Sequence, residues 1–221
     1  MARGRAPNYD DQRELILARA AELFASQGYV GTSMQQVAQA AGLSKATLYH
    51  YGADKHSLLV SIAEGHVNRL RAVVAEVRAL GLPAESQLRE LIRRFVAEYA
   101  SAQHAHRVLT EDVRFLQPEA QQRVIDTERE VVAGIAAAVA ALHPELHRAA
   151  LAKPLTMLLF GMINWMFTWM KPEGELGYDT LAPIVADLFV GGLAQVRPQS
   201  VTALHAKPSH PKSPTRKART T

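Results

Sequence analysis

The stretch GLSKATLYHYGADK, from Gly42 to Lys55, decides the fold of this 221-residue chain. Gly42 suits the left-handed backbone position that ends a helix. Ser44 can cap the next helix by accepting a hydrogen bond from the backbone amide of Ala46 or Thr47. Leu43 before the cap and Leu48 inside the helix form a hydrophobic staple, which sets the entry angle of the chain. These signals predict a short helix over residues 45–51.

A second helix precedes this one, and a turn of about three residues separates the two. Ser33 is a candidate N-cap for a helix that ends near Ala41. Two helices joined by so short a turn form a helix-turn-helix, which we place at about residues 33–52.

The outward face of residues 45–51 is polar. At about 100° per residue, Leu48 points to the core, and Ala46 and His50 point the opposite way. Thr47 and Tyr49 flank them, and Lys45 lies between the two directions. A small residue permits close approach to a surface, while hydroxyl, imidazole and ammonium groups can meet phosphates and base edges. The face is typical of a helix in the DNA major groove, although a solvated surface helix remains an alternative.

Helical periodicity extends along the rest of the chain, and no alternating strand pattern stands out. We therefore predict an all-α fold. Besides the helix-turn-helix, the expected helices cover about residues 10–27, 54–80, 84–101, 103–116, 118–142, 145–171 and 179–195. Residues 197–221 lack a core-forming pattern and carry six basic residues without an acid, which predicts a disordered basic tail. A solvated tail and a DNA tether are both open interpretations.

Composition excludes several classes of protein. Apolar residues make up 48% of the chain, and there is no cysteine, which fits a cytoplasmic protein. The net charge of +4 becomes −2 once the six positive charges of the tail are removed. No secretory signal is visible, and the apolar stretch 155–170 is too short to span a bilayer, so no membrane partner is expected.

No residue set predicts catalysis or metal binding. His143 and His147 have the i, i+4 spacing of metal ligands, but Pro144 makes His143 a helix cap and a third ligand is missing. His104 and His106 are interpreted as surface residues beside a loop. We therefore predict no catalytic residue, no metal and no cofactor.

The segment LILARAAELFASQGYVGTSMQQVAQAAGLSKATLYHYGADKHSLL resembles the DNA-binding domain of the tetracycline-repressor (TetR) family of bacterial transcription regulators, over about Asp10 to His66. The resemblance implies a homodimer that binds a palindromic operator in double-stranded DNA. It further implies a flexible arm over residues 1–9, a DNA-binding domain over 10–66 and a ligand-binding and dimerisation domain over 67–196. The family usually has an aromatic residue where this chain has Gly52. The orientation of the DNA-binding domain relative to the rest of the chain is therefore an open question.

The resemblance also implies a set of operator contacts. Ser33 and Gln35 approach DNA from the second helix, and Lys55 contacts a phosphate. The third helix, which begins after its cap Ser44, contributes Lys45, Ala46, Thr47, Tyr49 and His50.

The apolar segment 158–174 contains Trp165 and must be buried on several sides. It is interpreted either as core and dimer interface, together with residues 179–195, or as the wall of a ligand pocket. The C-terminal part loosely resembles acyl-CoA-responsive members of the family. That resemblance predicts an apolar tunnel lined by Phe95, Tyr99, Phe115, Met157, Phe160 and Trp165. Candidates for its basic mouth are Arg89, Arg93, Arg94, Arg107 and Arg114.

These observations predict a repressor that leaves its operator when it binds a small molecule, an acyl-CoA or a related aromatic or fatty-acid metabolite. A constitutive DNA-binding protein without a ligand is the alternative, followed by a helical enzyme.

Overall fold

The computed structural model describes residues 7–51, 54–170 and 177–197, and this part of the chain contains helices and no strand. The helices are α1 Pro7–Gln27, α2 Met34–Ala40, α3 Lys45–His50, α4 Lys55–Ala79, α5 Ala84–Ser101, α6 Gln103–Glu111, α7 Pro118–Leu142, α8 Pro144–Arg148, α9 Ala152–Ile163, α10 Met166–Trp169 and α11 Tyr178–Leu193. Within these ranges no helix has the length and apolar character that a membrane crossing requires. Gly52 and residues 198–221 lie outside the described residues.

Three predicted helices differ from the observed ones. Helix α1 begins at Pro7, three residues before the expected start and inside the predicted arm. The predicted helix 103–116 ends at Glu111, and a short 3-10 turn covers Val113–Phe115. The predicted helix 145–171 divides into α8, α9 and α10. Its first break lies at Ala150, whose φ of 57° is a left-handed conformation that an α-helix cannot continue through.

The side chains pack into two apolar clusters. The first, here called the head cluster, joins α1, α2, α3 and the beginning of α4 to α6 and the first turns of α7. The second, the body cluster, joins the end of α4 to α5, α7, α8, α9, α10 and α11. Helix α4 is continuous and passes from one cluster to the other, with Val67 in the head cluster and Leu70 in the body cluster. The change of packing partners thus occurs between Val67 and Leu70, within one continuous helix and just after the predicted boundary at residues 66–67.

Candidate DNA-contacting surface and effector cavity

Local capping builds the helix-turn-helix as the sequence predicts. Gly42 has a φ of 69°, which permits the turn after α2. Ser44 caps α3, because its Oγ accepts a hydrogen bond from the backbone amide of Thr47 at 3.0 Å. Leu48 is fully buried in the head cluster, and Leu43 packs against the same cluster. The cap and the buried leucine set which side of α3 faces outward.

The outward side of α3 exposes all five predicted side chains, those of Lys45, Ala46, Thr47, Tyr49 and His50. The Lys45 Nζ lies 5.9 Å from the centre of the Tyr49 ring. The structure therefore brings a cation, two hydroxyl groups, an imidazole and a small residue onto one accessible surface. Such groups can donate to phosphate oxygens or meet base edges.

Among the remaining predicted DNA contacts, Ser33 and Lys55 have structural partners of their own. Ser33 caps α2 by accepting a hydrogen bond from the backbone amide of Gln36, whose side chain accepts one from the Ser33 amide. Gln35 is exposed on the same helix. Lys55 donates to the Val30 carbonyl at 3.1 Å and lies over the Tyr29 ring at 4.5 Å. The first residue of α4 is thereby attached to the turn between α1 and α2.

A cavity of about 300 Å³ lies between α4, α5, α6, α7 and α9, where the body cluster meets the head cluster. Its size is near the lower end of the range for small-molecule sites. Helices α4, α5, α6, α7 and α9 contribute to its wall, together with the 3-10 turn and the link to α10. The lining residues are Val67, Leu70, Tyr99, His106, Leu109, Thr110, Val113, Glu128, Val131, Val132, Met157, Phe160 and Asn164.

A buried chain of hydrogen bonds crosses one side of this cavity. His106 Nε2 donates to the backbone carbonyl of Asn164 at 3.0 Å, so the Nδ1 of the neutral imidazole accepts from His66 Nε2 at 3.2 Å. The Tyr99 hydroxyl donates to the Asn164 side-chain oxygen at 2.9 Å, and its ring stacks on His106. Burial lowers the pKa of His106 to about 4 and also lowers the pKa of His66. The chain joins α4, α5 and α6 to the break between α9 and α10.

Only half of the predicted pocket residues reach the cavity. Tyr99, Met157 and Phe160 line it. Phe95 is buried behind them and packs against the rings of Tyr99 and Phe160.

The other two predicted pocket residues lie elsewhere. Phe115 follows the end of α6 and stacks on Tyr29 in the head cluster, because the 3-10 turn carries it away from the body. Trp165 is half exposed and stacks on Phe167. The surface assignment of His106 was wrong, since this side chain is 3% exposed.

The predicted arginines do not gather at a mouth. Arg89 and Arg93 line a groove between α5 and α11, where acidic side chains pair with both of them. Arg94 pairs with Glu76 and Glu90. Arg107 pairs with Glu111, and Arg114 lies over the Phe115 ring.

A groove between α7 and α9 adjoins the cavity and supplies other cations. The two spaces share Glu128, Val132 and Met157 in their walls. The groove is walled by alanines of α7 and carries Arg129, Lys153 and His147. Sequence reasoning missed these cations and Glu128, and the available signal was the run of small residues in the second half of α7, directly after its charged residues. Among the described residues no group of three or more possible ligands could hold a metal ion.

A helix-turn-helix with an exposed polar helix, joined through α4 to a helical body that contains a cavity, defines a DNA-binding regulator. The chain belongs to the tetracycline-repressor family. The family model for bacterial regulatory proteins of the tetR family matches residues 16–62, and the model for the tetracyclin repressor-like C-terminal domain matches residues 81–193. This protein is therefore a transcriptional regulator of that family rather than an enzyme.

Individual relatives agree with this assignment. The transcriptional repressor KstR2 of Rhodococcus jostii strain RHA1 is 26% identical over 190 residues, which cover 83% of this chain and 91% of KstR2. A TetR-family regulator of Bordetella parapertussis 12822 is 32% identical with a TM-score of 0.77, over 84% of this chain and 97% of its own. The structure of AibR with isovaleryl coenzyme A and operator DNA has a TM-score of 0.71 at 24% identity, over 80% of this chain and 97% of its own, which is a likeness of fold.

Proposed function

We propose that this repressor leaves its operator when a small molecule occupies the cavity in the body. The supporting observation is the position of α4. Val67 and Leu70 of this helix line the cavity, and Lys55 at its first residue is bonded to the head through Val30. A ligand that displaces α4 therefore also displaces the head that carries α3. Ser33, Gln35, Lys55 and the exposed residues of α3 are the proposed DNA contacts, and Ser44 holds that helix in place.

The effector acts only through its differential affinity for two arrangements of the head. Each tenfold preference for the arrangement that does not fit DNA contributes about 1.4 kcal/mol to release. A cavity that includes part of α4 in its wall can supply such a preference, because the contacts of Val67 and Leu70 with a ligand change when α4 moves.

We further propose that the effector is an acyl-CoA. The cavity is mainly apolar and suits an acyl chain, whereas the adjoining groove carries Arg129, Lys153 and His147 for the anionic part of the molecule. Arg129 also pairs with Asp126, while Lys153 makes no ion pair with any described residue. AibR, which shares the fold, has a crystal structure in complex with isovaleryl coenzyme A and operator DNA, so the fold accommodates both partners.

The apolar surface of the last helices is the proposed homodimer interface. Large apolar side chains are exposed on α9, α10 and α11 and on the link between α9 and α10, namely Leu158, Met162, Trp165, Trp169, Ile184 and Leu188. A second copy of the chain would cover this surface by an isologous contact. Two heads would then bind the half-sites of a palindrome in successive major grooves. Operator binding requires access to the bacterial chromosome, so we propose a cytoplasmic location.

The test begins with a DNA duplex that the protein selects from a random pool. The complex of protein and labelled duplex is titrated with acyl-CoAs of several chain lengths, the matching free acids and free CoA, and release is followed by fluorescence anisotropy. Release by thioesters alone supports the proposal. Release by free acids at equal or lower concentration refutes the acyl-CoA assignment, and no release by any compound in the set counts against it and favours the constitutive DNA-binding alternative.

A pair of variants tests the groove. Lys153→Ala should raise the thioester concentration needed for release severalfold, because it removes a cation that has no partner among the described residues. Arg148→Ala, which removes a cation outside the groove, is the matched control and should behave as the parent.

A further inference from the structure

Glu128 is an unusual residue for an apolar cavity. It lies on α7 in the shared wall of the cavity and the groove, and it makes no hydrogen bond or ion pair with any residue that the structure describes. Burial raises the pKa of its carboxyl, and among the described residues no charged group opposes this effect. The neighbouring Arg129 is paired with Asp126 instead. A partly buried carboxyl without a partner lowers stability, and such groups are concentrated at functional sites.

The other polar groups of the cavity are largely occupied. The Tyr99 hydroxyl donates to the Asn164 side-chain oxygen, and the Thr110 hydroxyl donates to the His106 carbonyl. His106 uses both ring nitrogens, towards His66 and Asn164. The Asn164 side-chain amide group donates to none of the described residues. The wall therefore offers a ligand one strong acceptor, Glu128, and one donor, the amide of Asn164.

None of the described residues that line the cavity is arginine or lysine, since Arg129 and Lys153 line the adjoining groove. A carboxylate ligand inside the cavity would face Glu128 without a cation to neutralise either charge, and like charges at close range repel strongly when water is excluded. An uncharged ligand with an N–H or O–H group would instead give Glu128 the hydrogen bond that the protein does not provide.

We propose that Glu128 selects the effector by charge and hydrogen bonding. The cavity takes an uncharged polar group with a hydrogen-bond donor for Glu128 and an acceptor for Asn164, and it rejects free carboxylates. In an acyl-CoA the thioester carbonyl is the acceptor, and the amide N–H of the CoA arm beside it is the donor. This inference rests on the proposed function of the cavity as the effector site. It requires only ligand binding, so it is tested without DNA.

The test uses three compounds with the same acyl chain: octanamide, methyl octanoate and octanoate. Octanamide has a donor and an acceptor, methyl octanoate has only acceptors, and octanoate is an anion. Dissociation constants are measured by calorimetry on the full-length protein at about pH 8, which favours the ionised carboxyl. The expected order of affinity is octanamide, then methyl octanoate, then octanoate. Octanamide should bind at least about tenfold more tightly than octanoate, because hydrogen bonds to charged groups are among the strongest.

The variant Glu128→Gln keeps the shape of the side chain and removes its charge. It should reduce the preference for octanamide over octanoate by about tenfold or more, mainly because octanoate binds better. Glu130→Gln makes the same change at an exposed position of α7 and should keep the parental preference.

Three outcomes overturn the proposal. These are an octanoate affinity equal to that of octanamide in the parent, an unchanged preference in Glu128→Gln, and the absence of binding by all three compounds. A different result would refute the proposed function instead. In that case the protein shows the expected selectivity among these three compounds, but no acyl-CoA releases it from the operator.

Discussion

His106 makes the stability of this regulator depend on pH in a calculable way. Its pKa is about 4 in the folded protein, where burial and the neighbouring His66 disfavour the charged form, and 6.5 is the ordinary value. The folded state therefore binds fewer protons than the unfolded state at acidic pH. The contribution of His106 to stability is complete above the pKa that it has in the unfolded chain. It is lost as the pH falls towards the pKa that His106 has in the folded protein.

The two pKa values set the size of this effect. At pH values below both pKa values, the free energy of unfolding is about 3 kcal/mol lower than at neutral pH. About 2 kcal/mol of this is already lost at about pH 5. His106 is almost fully buried, so solvent screening reduces this figure little. The pKa of His66 is also lowered, and this residue adds to the loss in the same direction.

The perturbation is His106→Gln, which cannot take up the proton but retains an amide group that can donate to the Asn164 carbonyl. Urea unfolding is measured for parent and variant at about pH 7.5 and about pH 5, at one protein concentration because the family forms dimers. Between these pH values the free energy of unfolding should fall by about 2 kcal/mol more in the parent than in the variant. Titration of the carboxyl groups affects both proteins and cancels in the difference.

His104→Gln is the control on the same helix, since His104 is exposed. It should lose as much stability on acidification as the parent does. The reasoning is refuted when His106→Gln also loses as much as the parent, because His106 would then titrate as a solvated imidazole.

Three other predictions concern the recognition helix, the helix packing and the dimer. Tyr49→Phe should weaken binding to all duplexes alike by removing a phosphate contact, whereas His50→Ala should change base preference. Anisotropy with selected and random duplexes separates these effects. Parental behaviour in both variants contradicts the assignment of α3 as the helix that contacts DNA. Gly134→Ala places a methyl group against Val74 where α7 meets α4, and it should lower the free energy of unfolding by about 1–3 kcal/mol unless Val74→Ala is added. Leu188→Glu should give a monomer by light scattering, and a persistent dimer would show that the interface lies elsewhere.

Short-range chemistry explains why the exposed face of α3 was predictable. The cap at Ser44, the left-handed Gly42 and the buried Leu48 act within a few residues of one another, so the sequence specifies which side of α3 is exposed. The two helix breaks near Ala150 and Asn164 were not predictable in this way. Apolar periodicity continues through both, and the carbonyl of Asn164 is held by His106, which lies far away in sequence.

The cavity was even less predictable from local sequence signals. Its wall combines residues of five helices, and the sequence contains no local signal that Glu128 and His106 would share it. The two residues also contradict the ordinary preference of charged and ionisable groups for solvent. Neither improves stability by its ionisation, since burial disfavours the charged form of each. His106 is neutral and hydrogen-bonded at neutral pH, so it has a role in the fold, whereas Glu128 has no partner among the described residues. A carboxyl of this kind, beside a helix that reaches the DNA-binding head, is better explained by the proposed contact with a ligand than by a contribution to the fold.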